Sequence, residues 1–326
     1  MPRKSGDVYR FDYKHPIKRM FISRFEGGAL IQLDYSSLES RVMALDAMDM
    51  DMIKSFFDGE DIHRQTAALT FRKPPEDVTD DERTKAKAVS FGLAYGEVPF
   101  SFAPKHNMTV EEAEKLFEDF FAGKPRLKEY IEENKEIAMK AGSISCLQGY
   151  TRNLRDVYSQ DKQKRNGALR QATNTRIQGS GAFLTNNSLI YINNLIEKMN
   201  LRSRIVLTVH DSIVIDCPPE EIKLMAHIGK TVMENLPIDW LWIDWEGERR
   251  RFPITADVEI GVTYNDMVDY NPDDLDTFAS VAGYCKYHGD LKNVKNYKNS
   301  KAITEEKYDE LVAVIKSNKP QYQKIA

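Results

Sequence analysis

An apolar run, Ala29-Leu30-Ile31-Gln32-Leu33, stops at Asp34, and the next pair of runs with strand character, 204–209 and 213–215, lies about 170 residues later. Between them, residues 39–141 read as helix almost throughout. A lone strand has to find partners for its backbone N–H and C=O groups. An early strand, a long helical block and late strands make a mixed chain, and the fold class expected is α+β: an antiparallel sheet with a helical subdomain inserted into it.

The helices are marked at their ends. A Met-rich helical pattern runs from about 38 to 57 and breaks at Asp58-Gly59-Glu60-Asp61. A second helix starts near Asp61-Ile62-His63, and Pro74-Pro75 marks a loop. Thr79 followed by Asp80-Asp81-Glu82 reads as an N-cap with an acidic first turn, opening a helix over 80–95. Thr109 with Glu112 forms a capping-box start, and Pro125 opens a helix to Ala141. A long helix is predicted over 168–199, interrupted by Gly179 and Gly181. His210-Asp211-Ser212 separates the two late β runs as a hairpin turn. Residues 220–236 read as helix. Residues 240–260 read as strand-like, with a turn at Glu246-Gly247-Glu248. After Tyr264 the chain becomes acidic and then rich in Lys, Asn and Tyr, which predicts a tail ordered at most in short helices.

The chain has 326 residues, enough to bury a sizeable core. It has no run of 18 apolar residues, and the polar start, Met1 to Gly6, is not followed by the apolar stretch of a signal peptide. Three scattered cysteines without a CxxC exclude a disulfide framework and a structural zinc site, and favour a reducing compartment. Net charge, −4, gives no sign of a polyanion partner. Its distribution does: between Tyr150 and Arg176 stand Arg152, Arg155, Lys162, Lys164, Arg165, Arg170 and Arg176 against Asp156 and Asp161.

Two aspartates and one helix face carry the chemistry. Asp34 ends a strand and Asp211 sits at a hairpin tip. Each alone is an ordinary residue for such a place. Together, from distant positions on one sheet, two carboxylates can hold a pair of divalent cations for phosphoryl transfer, and oxygen ligands suit Mg²⁺. On the helix over 80–95, Arg83, Lys87, Phe91 and Tyr95 recur every four residues and form one stripe: cation, cation, aromatic, aromatic. Such a stripe can grip a polyphosphate and stack a base. It is also what an amphipathic helix with a solvated basic end looks like. Gly92 and Gly96, costly in a helix by roughly 1 kcal/mol each, favour the first reading, because they let something large approach the backbone.

These segments resemble the three motifs of family A DNA polymerases, the bacterial DNA polymerase I family. Asp34-Tyr35-Ser36-Ser37-Leu38-Glu39-Ser40-Arg41 is similar to motif A. Residues 83–96 complete the motif B pattern RxxxKxxxFGxxYG, and Val209-His210-Asp211-Ser212 is similar to motif C. Asp61-Ile62-His63, Asn174 and Gln178-Gly179 also fall where that family has matching residues. The resemblance covers about residues 20–266 and extends to polymerases of large lytic bacteriophages. It implies a right-hand fold: 1–38 as lead-in and first palm strand with motif A, 39–165 as fingers, 166–264 as palm with motif C, and 265–326 as a tail of unknown role. It implies two Mg²⁺ ions on Asp34 and Asp211, with the Tyr35 backbone carbonyl assisting. Glu39 is implied as the steric gate against ribonucleotides. His63, Arg83 and Lys87 become triphosphate contacts, with Lys87 also the general acid, and Phe91 and Tyr95 become pocket walls. Arg41, Arg170, Asn174, Gln178 and His210 form the primer and template group, Arg41 also bracing motif A.

Two departures stand out. Motif C in this family reads His-Asp-Glu, whereas Ser212 holds the third place here and cannot supply a carboxylate. Motif A also begins at Asp34, which leaves no room before it for a thumb or a proofreading exonuclease. The expectation is therefore a polymerase fold lacking the thumb, from a split gene or a truncated record. A separate polypeptide would supply the thumb and exonuclease, primer-template DNA and deoxynucleoside triphosphates would be the other partners, and the setting would be cytoplasmic (the host's, if phage-encoded). Two other readings follow from the same residues. One is a nucleic-acid-binding subunit inactive without its partner. The other is a fragment of a single-subunit RNA polymerase, which shares motifs A and B; Glu39 argues against it.

Overall fold

The computed structural model describes residues 17–94 and 96–325. Two compact units emerge. One combines the described part of Met1–Tyr35 with Asn187–Glu234 and Thr255–Ala326; the other combines Ser36–Asn186 with Asn235–Ile254. In chain order the elements begin with β1 (Ala29–Tyr35), α1 (Leu38–Ala47), α2 (Met50–Phe57), α3 (Ile62–Phe71), α4 (Asp80–Ala94) and α5 (Pro99–Phe102). Then come α6 (Val110–Gly123), α7 (Pro125–Ala141), β2 (Ser143–Ser145), β3 (Thr151–Asn153) and the long α8 (Lys162–Lys198). The hairpin β4 (Arg204–Val209) and β5 (Ser212–Cys217) leads to α9 (Ile222–Glu234), β6 (Trp242–Trp245), β7 (Glu248–Arg251), β8 (Ala256–Gly261) and β9 (Val268–Asp269). Helices α10 (Pro272–Leu275), α11 (Val281–Asn299), α12 (Glu305–Ser317) and α13 (Lys319–Tyr322) follow.

The first unit is built on a five-stranded antiparallel sheet in the order β4-β5-β1-β8-β9. The early strand is its centre, as its need for partners requires. Alternation along β1 sets two faces. Ile31 and Leu33 are fully buried, while Gln32 and Asp34 are half-buried on the other side. Helix α9 covers the apolar face so closely that a Cβ on Gly229 would lie 2.2 Å from Leu33 Cδ1. On the opposite face Leu30, Val214, Tyr264 and Met267 form a small cluster beside the polar residues.

The second unit is helical, with a two-stranded β2–β3 ribbon and a β6–β7 hairpin. Helix α3 packs along α4, around Ala67, Ala68, Val78 and Ala86. The α+β expectation holds, but four local expectations need correction. The 38–57 helix is two helices: Met48 takes a left-handed φ of 50°, and Asp49 caps α2 by accepting from the Met52 N–H at 3.0 Å. Helix α8 starts six residues earlier than predicted and is not interrupted by its glycines. The hairpin turn is two residues, with Ser212 already in β5 and His210 at φ 57°. The tail is no string of short helices. It adds β9 to the sheet edge and includes a 19-residue helix whose Tyr284 is fully buried.

Candidate active site

Register brings the carboxylates together. Asp34, at the end of β1, stands opposite Ser212 on β5 and Asp257 on β8. Asp211 occupies the β4–β5 turn beside Ser212. The Asp34 and Asp211 carboxyls lie within hydrogen-bonding reach of each other. Burial comes first in raising the Asp34 carboxyl to about 6, and the charges of Asp211, Glu259 and Asp257 push the same way. Burial also raises Asp211, against the pull of His210. Each carboxyl therefore holds its proton more readily than a free one. Ser212 is buried and donates to the Val209 carbonyl at 2.8 Å, so its hydroxyl closes the hairpin. Tyr35 turns its ring the other way, and its hydroxyl meets Ser188 Oγ at 2.7 Å and donates to the Met233 carbonyl at 3.1 Å. Among the described residues no three His, Cys, Asp or Glu side chains form a ready metal cage. The donor set here is a pair of hard oxygen ligands in excess negative charge, which suits a divalent cation.

In the second unit α3 and α4 place His63, Arg83, Lys87 and Phe91 in one cluster. Asp61 caps α3, accepting from the His63 and Arg64 N–H groups, and its other oxygen accepts from Arg83 Nε at 2.6 Å. The Lys87 ammonium lies 5.4 Å from the Phe91 ring centroid, and the His63 ring lies 5.7 Å from it. His63 is buried, and its Nε2 has no hydrogen-bond partner. Burial, reinforced by Lys87 and Arg83, lowers its pKa to about 4, so the imidazole is neutral near pH 7. The orphaned buried nitrogen beside two cations leaves a hydrogen-bonding position that the described side chains do not fill. Tyr95 lies outside the described residues. Glu39 sits in the first turn of α1, partly buried.

The glycines of this segment are explained by the chain's own packing. A Cβ on Gly92 would meet Glu97 Oε2 at 2.9 Å, and one on Gly96, at φ +70°, would meet Arg170 Cβ at 2.7 Å. Arg170, Asn174 and Gln178 fall on one face of α8, four residues apart, with Arg170 exposed. Arg41 is buried, donates to the Ser36 carbonyl at 2.9 Å and to the Pro253 carbonyl, and lies over the Phe56 ring, which favours bracing over reaching a nucleic acid. The basic stretch divides as well. Arg176 is paired with the buried Asp46, and Arg152 donates to Thr175 and Gln171. Arg176 is tied into the fold, whereas Arg152, Arg155, Lys162 and Lys164 are exposed.

Sequence reasoning missed Asp257 and Glu259. The alternation Asp257-Val258-Glu259-Ile260 was the available signal, because it puts both acids on one face of a strand.

The model for DNA polymerase family A matches residues 8–266. The DNA polymerase of Bacillus phage SP01 is 35% identical over 318 residues, covering 94% of this chain and 33% of that protein. DNA polymerase I of Geobacillus stearothermophilus is 32% identical over 265 residues, covering 81% of the chain and 29% of that protein. Among solved structures, the POL domain of Pol1 from M. smegmatis, in complex with DNA primer-template and dNTP, superposes with a TM-score of 0.68 at 30% identity, covering 81% of this chain and 44% of that one. The chain belongs to DNA polymerase family A. It spans about a third or less of the length of these curated relatives.

Proposed function

We propose that this chain carries out template-directed DNA synthesis, adding deoxynucleoside monophosphates to a primer 3′-hydroxyl. The observation that carries the reading is the Asp34–Asp211 pair: two carboxyls from distant strands within hydrogen-bonding reach, in excess negative charge. Family membership and a relative solved with primer-template and dNTP support it. In the reaction the primer oxygen forms a bond to the α-phosphorus, the α–β phosphoanhydride bond breaks, and pyrophosphate leaves. Asp34 and Asp211 would hold two Mg²⁺ ions, with the Tyr35 carbonyl as a further ligand. Bound there, the ions would activate the attacking oxygen and stabilise the leaving one. Without a carboxylate at Ser212, the remaining ligands would come from the triphosphate and water.

Arg83, Lys87 and the neutral His63 would bind the triphosphate, His63 by donating from the nitrogen that lacks a partner. Arg83 would have to leave Asp61, or share it, to do so. Lys87 would give a proton to the departing pyrophosphate. Phe91 and Tyr95 would wall the base pocket, and Glu39 would fill the space of a ribose 2′-hydroxyl. Arg170, Asn174, Gln178 and His210 would contact primer and template; minor-groove acceptors are common to all correct pairs. Arg41 serves as the brace of motif A. Palm would correspond to 1–38 and 166–264 and fingers to 39–165. The contact-defined units cut the chain elsewhere, near 35, 187, 235 and 255. The setting would be cytoplasmic. Among the described residues no helix is long and apolar enough to cross a membrane. Primer extension by Asp34→Ala and Asp211→Ala variants tests the proposal. Both should lose extension while keeping DNA binding, and extension retained by either would remove the pair from the chemistry.

A further inference from the structure

Residues 267–326 lie beyond the segment that the family model matches, yet β9 joins the sheet that bears Asp34 and α11 packs on it. Helix α11 lies along β8 and β9. Its Tyr284 hydroxyl donates to the Asp269 carbonyl at 2.7 Å and accepts from the Asn271 N–H at 2.9 Å. From the same helix Lys292 donates to the Met267 carbonyl at 2.8 Å and pairs with Glu259 Oε1 at 2.9 Å. Glu259 stands opposite Gln32, and Asp257, two residues before it, stands opposite Asp34. Directly opposed residues share a face, as do residues two apart on one strand. Asp34, Asp257 and Glu259 therefore share one face of the sheet, and Lys292 is the cation that α11 delivers to it.

We propose that Lys292 is a positioning residue that holds Glu259 and cancels its charge, and so sets the divalent-cation affinity of the Asp34–Asp211 pair. The inference rests on the reading of that pair as a cation site. A single charge on the same sheet face shifts the binding of a divalent ion measurably even at high effective dielectric. Removing its partner would free a full negative charge on a face that holds two further carboxylates. The pairing also ties the β8–β9 connection, through Met267, to the helix beyond it.

The test is Mn²⁺ binding to the full chain without DNA, followed by electron paramagnetic resonance, for wild type, Lys292→Met, Lys292→Arg, Glu259→Gln and Lys292→Met/Glu259→Gln. Lys292→Met should bind Mn²⁺ more tightly, by roughly threefold or more, Lys292→Arg should match wild type, and the double variant should match Glu259→Gln. Thermal unfolding identifies any variant that does not fold, and Lys292→Gln then replaces Lys292→Met. A purely structural salt bridge would leave Mn²⁺ affinity unchanged in Lys292→Met, and that result overturns the inference. Asp34→Asn separates the two claims. If wild type binds Mn²⁺ and Asp34→Asn weakens it, while Lys292→Met has no effect, the cation site stands and the role of Lys292 falls. If wild type binds no Mn²⁺, both fall.

Discussion

Single residues here are legible in proportion to how local their chemistry is. Asp34 and Asp211 could be picked out because each ends a strand run, but only register shows Asp257 and Glu259 beside them. Ser212 looked like a lost ligand, and it is a hairpin tie that donates to Val209. Ser212→Ala should therefore leave extension within a few-fold of wild type and cost about 1 kcal/mol of stability, measured by chemical denaturation. Glu39→Ala should raise ribonucleotide incorporation relative to deoxynucleotide incorporation, read as a ratio of single-nucleotide insertion rates; an unchanged ratio counts against the gate. His63 gives a pH prediction. Its folded-state pKa is depressed to about 4, below the ordinary 6.5. The unfolded chain then takes up the proton first, so stability is fully present above pH 6.5 and is lost as pH falls towards 4. Over that window the melting temperature of wild type should fall more steeply than that of His63→Gln. Parallel curves would mean that burial does not hold the imidazole neutral.

At the scale of elements, helix ends were readable where a side chain caps them. Asp61 and Thr109 mark true starts by capping, and Pro125 marks one as the first helical residue. Helix α8 was misjudged at both of its unusual features. Residues 162–167 carry no apolar periodicity, yet Asp161 accepts from the Gln163 N–H at 2.8 Å and opens the helix there. Gly179 was read as an interruption, but it is a contact: its Cβ would lie 2.4 Å from Cys146 Sγ. Gly179→Ala should destabilise by about 1–3 kcal/mol through overpacking, and Cys146→Ala should relieve part of that cost in the double variant. Additive losses in denaturant titrations would show that the two sites do not touch. Helices α1, α7 and α8 meet at a polar knot, where the buried Asp46 accepts from Tyr130 and Arg176. Removing Asp46 strands the Arg176 guanidinium, so Asp46→Ala should cost about 3–5 kcal/mol.

Over the whole molecule, the order of motifs along the chain pointed to a sheet with a helical insertion, and β1 takes partners on both sides, β5 and β8. The tail was misread because its lysines and tyrosines mimic a solvated segment. Tyr284, Cys285 and Tyr287 in fact form a buried face in helical register. Within the basic stretch Arg176 is engaged by Asp46 inside the fold. The remaining cations should still give primer-template binding that weakens steeply with salt, with a slope of about −0.9 per phosphate contact. Lys162→Ala/Lys164→Ala should flatten that slope. A slope unchanged by the double substitution would move the DNA path elsewhere. The most direct test of the account is single-turnover incorporation of one nucleotide at low salt, with the chain in excess over primer-template. Wild type should form the extended primer, and Asp34→Ala and Asp211→Ala, with DNA still bound, should form almost none. Equal product from wild type and either variant, or no product from wild type on bound DNA, would contradict it.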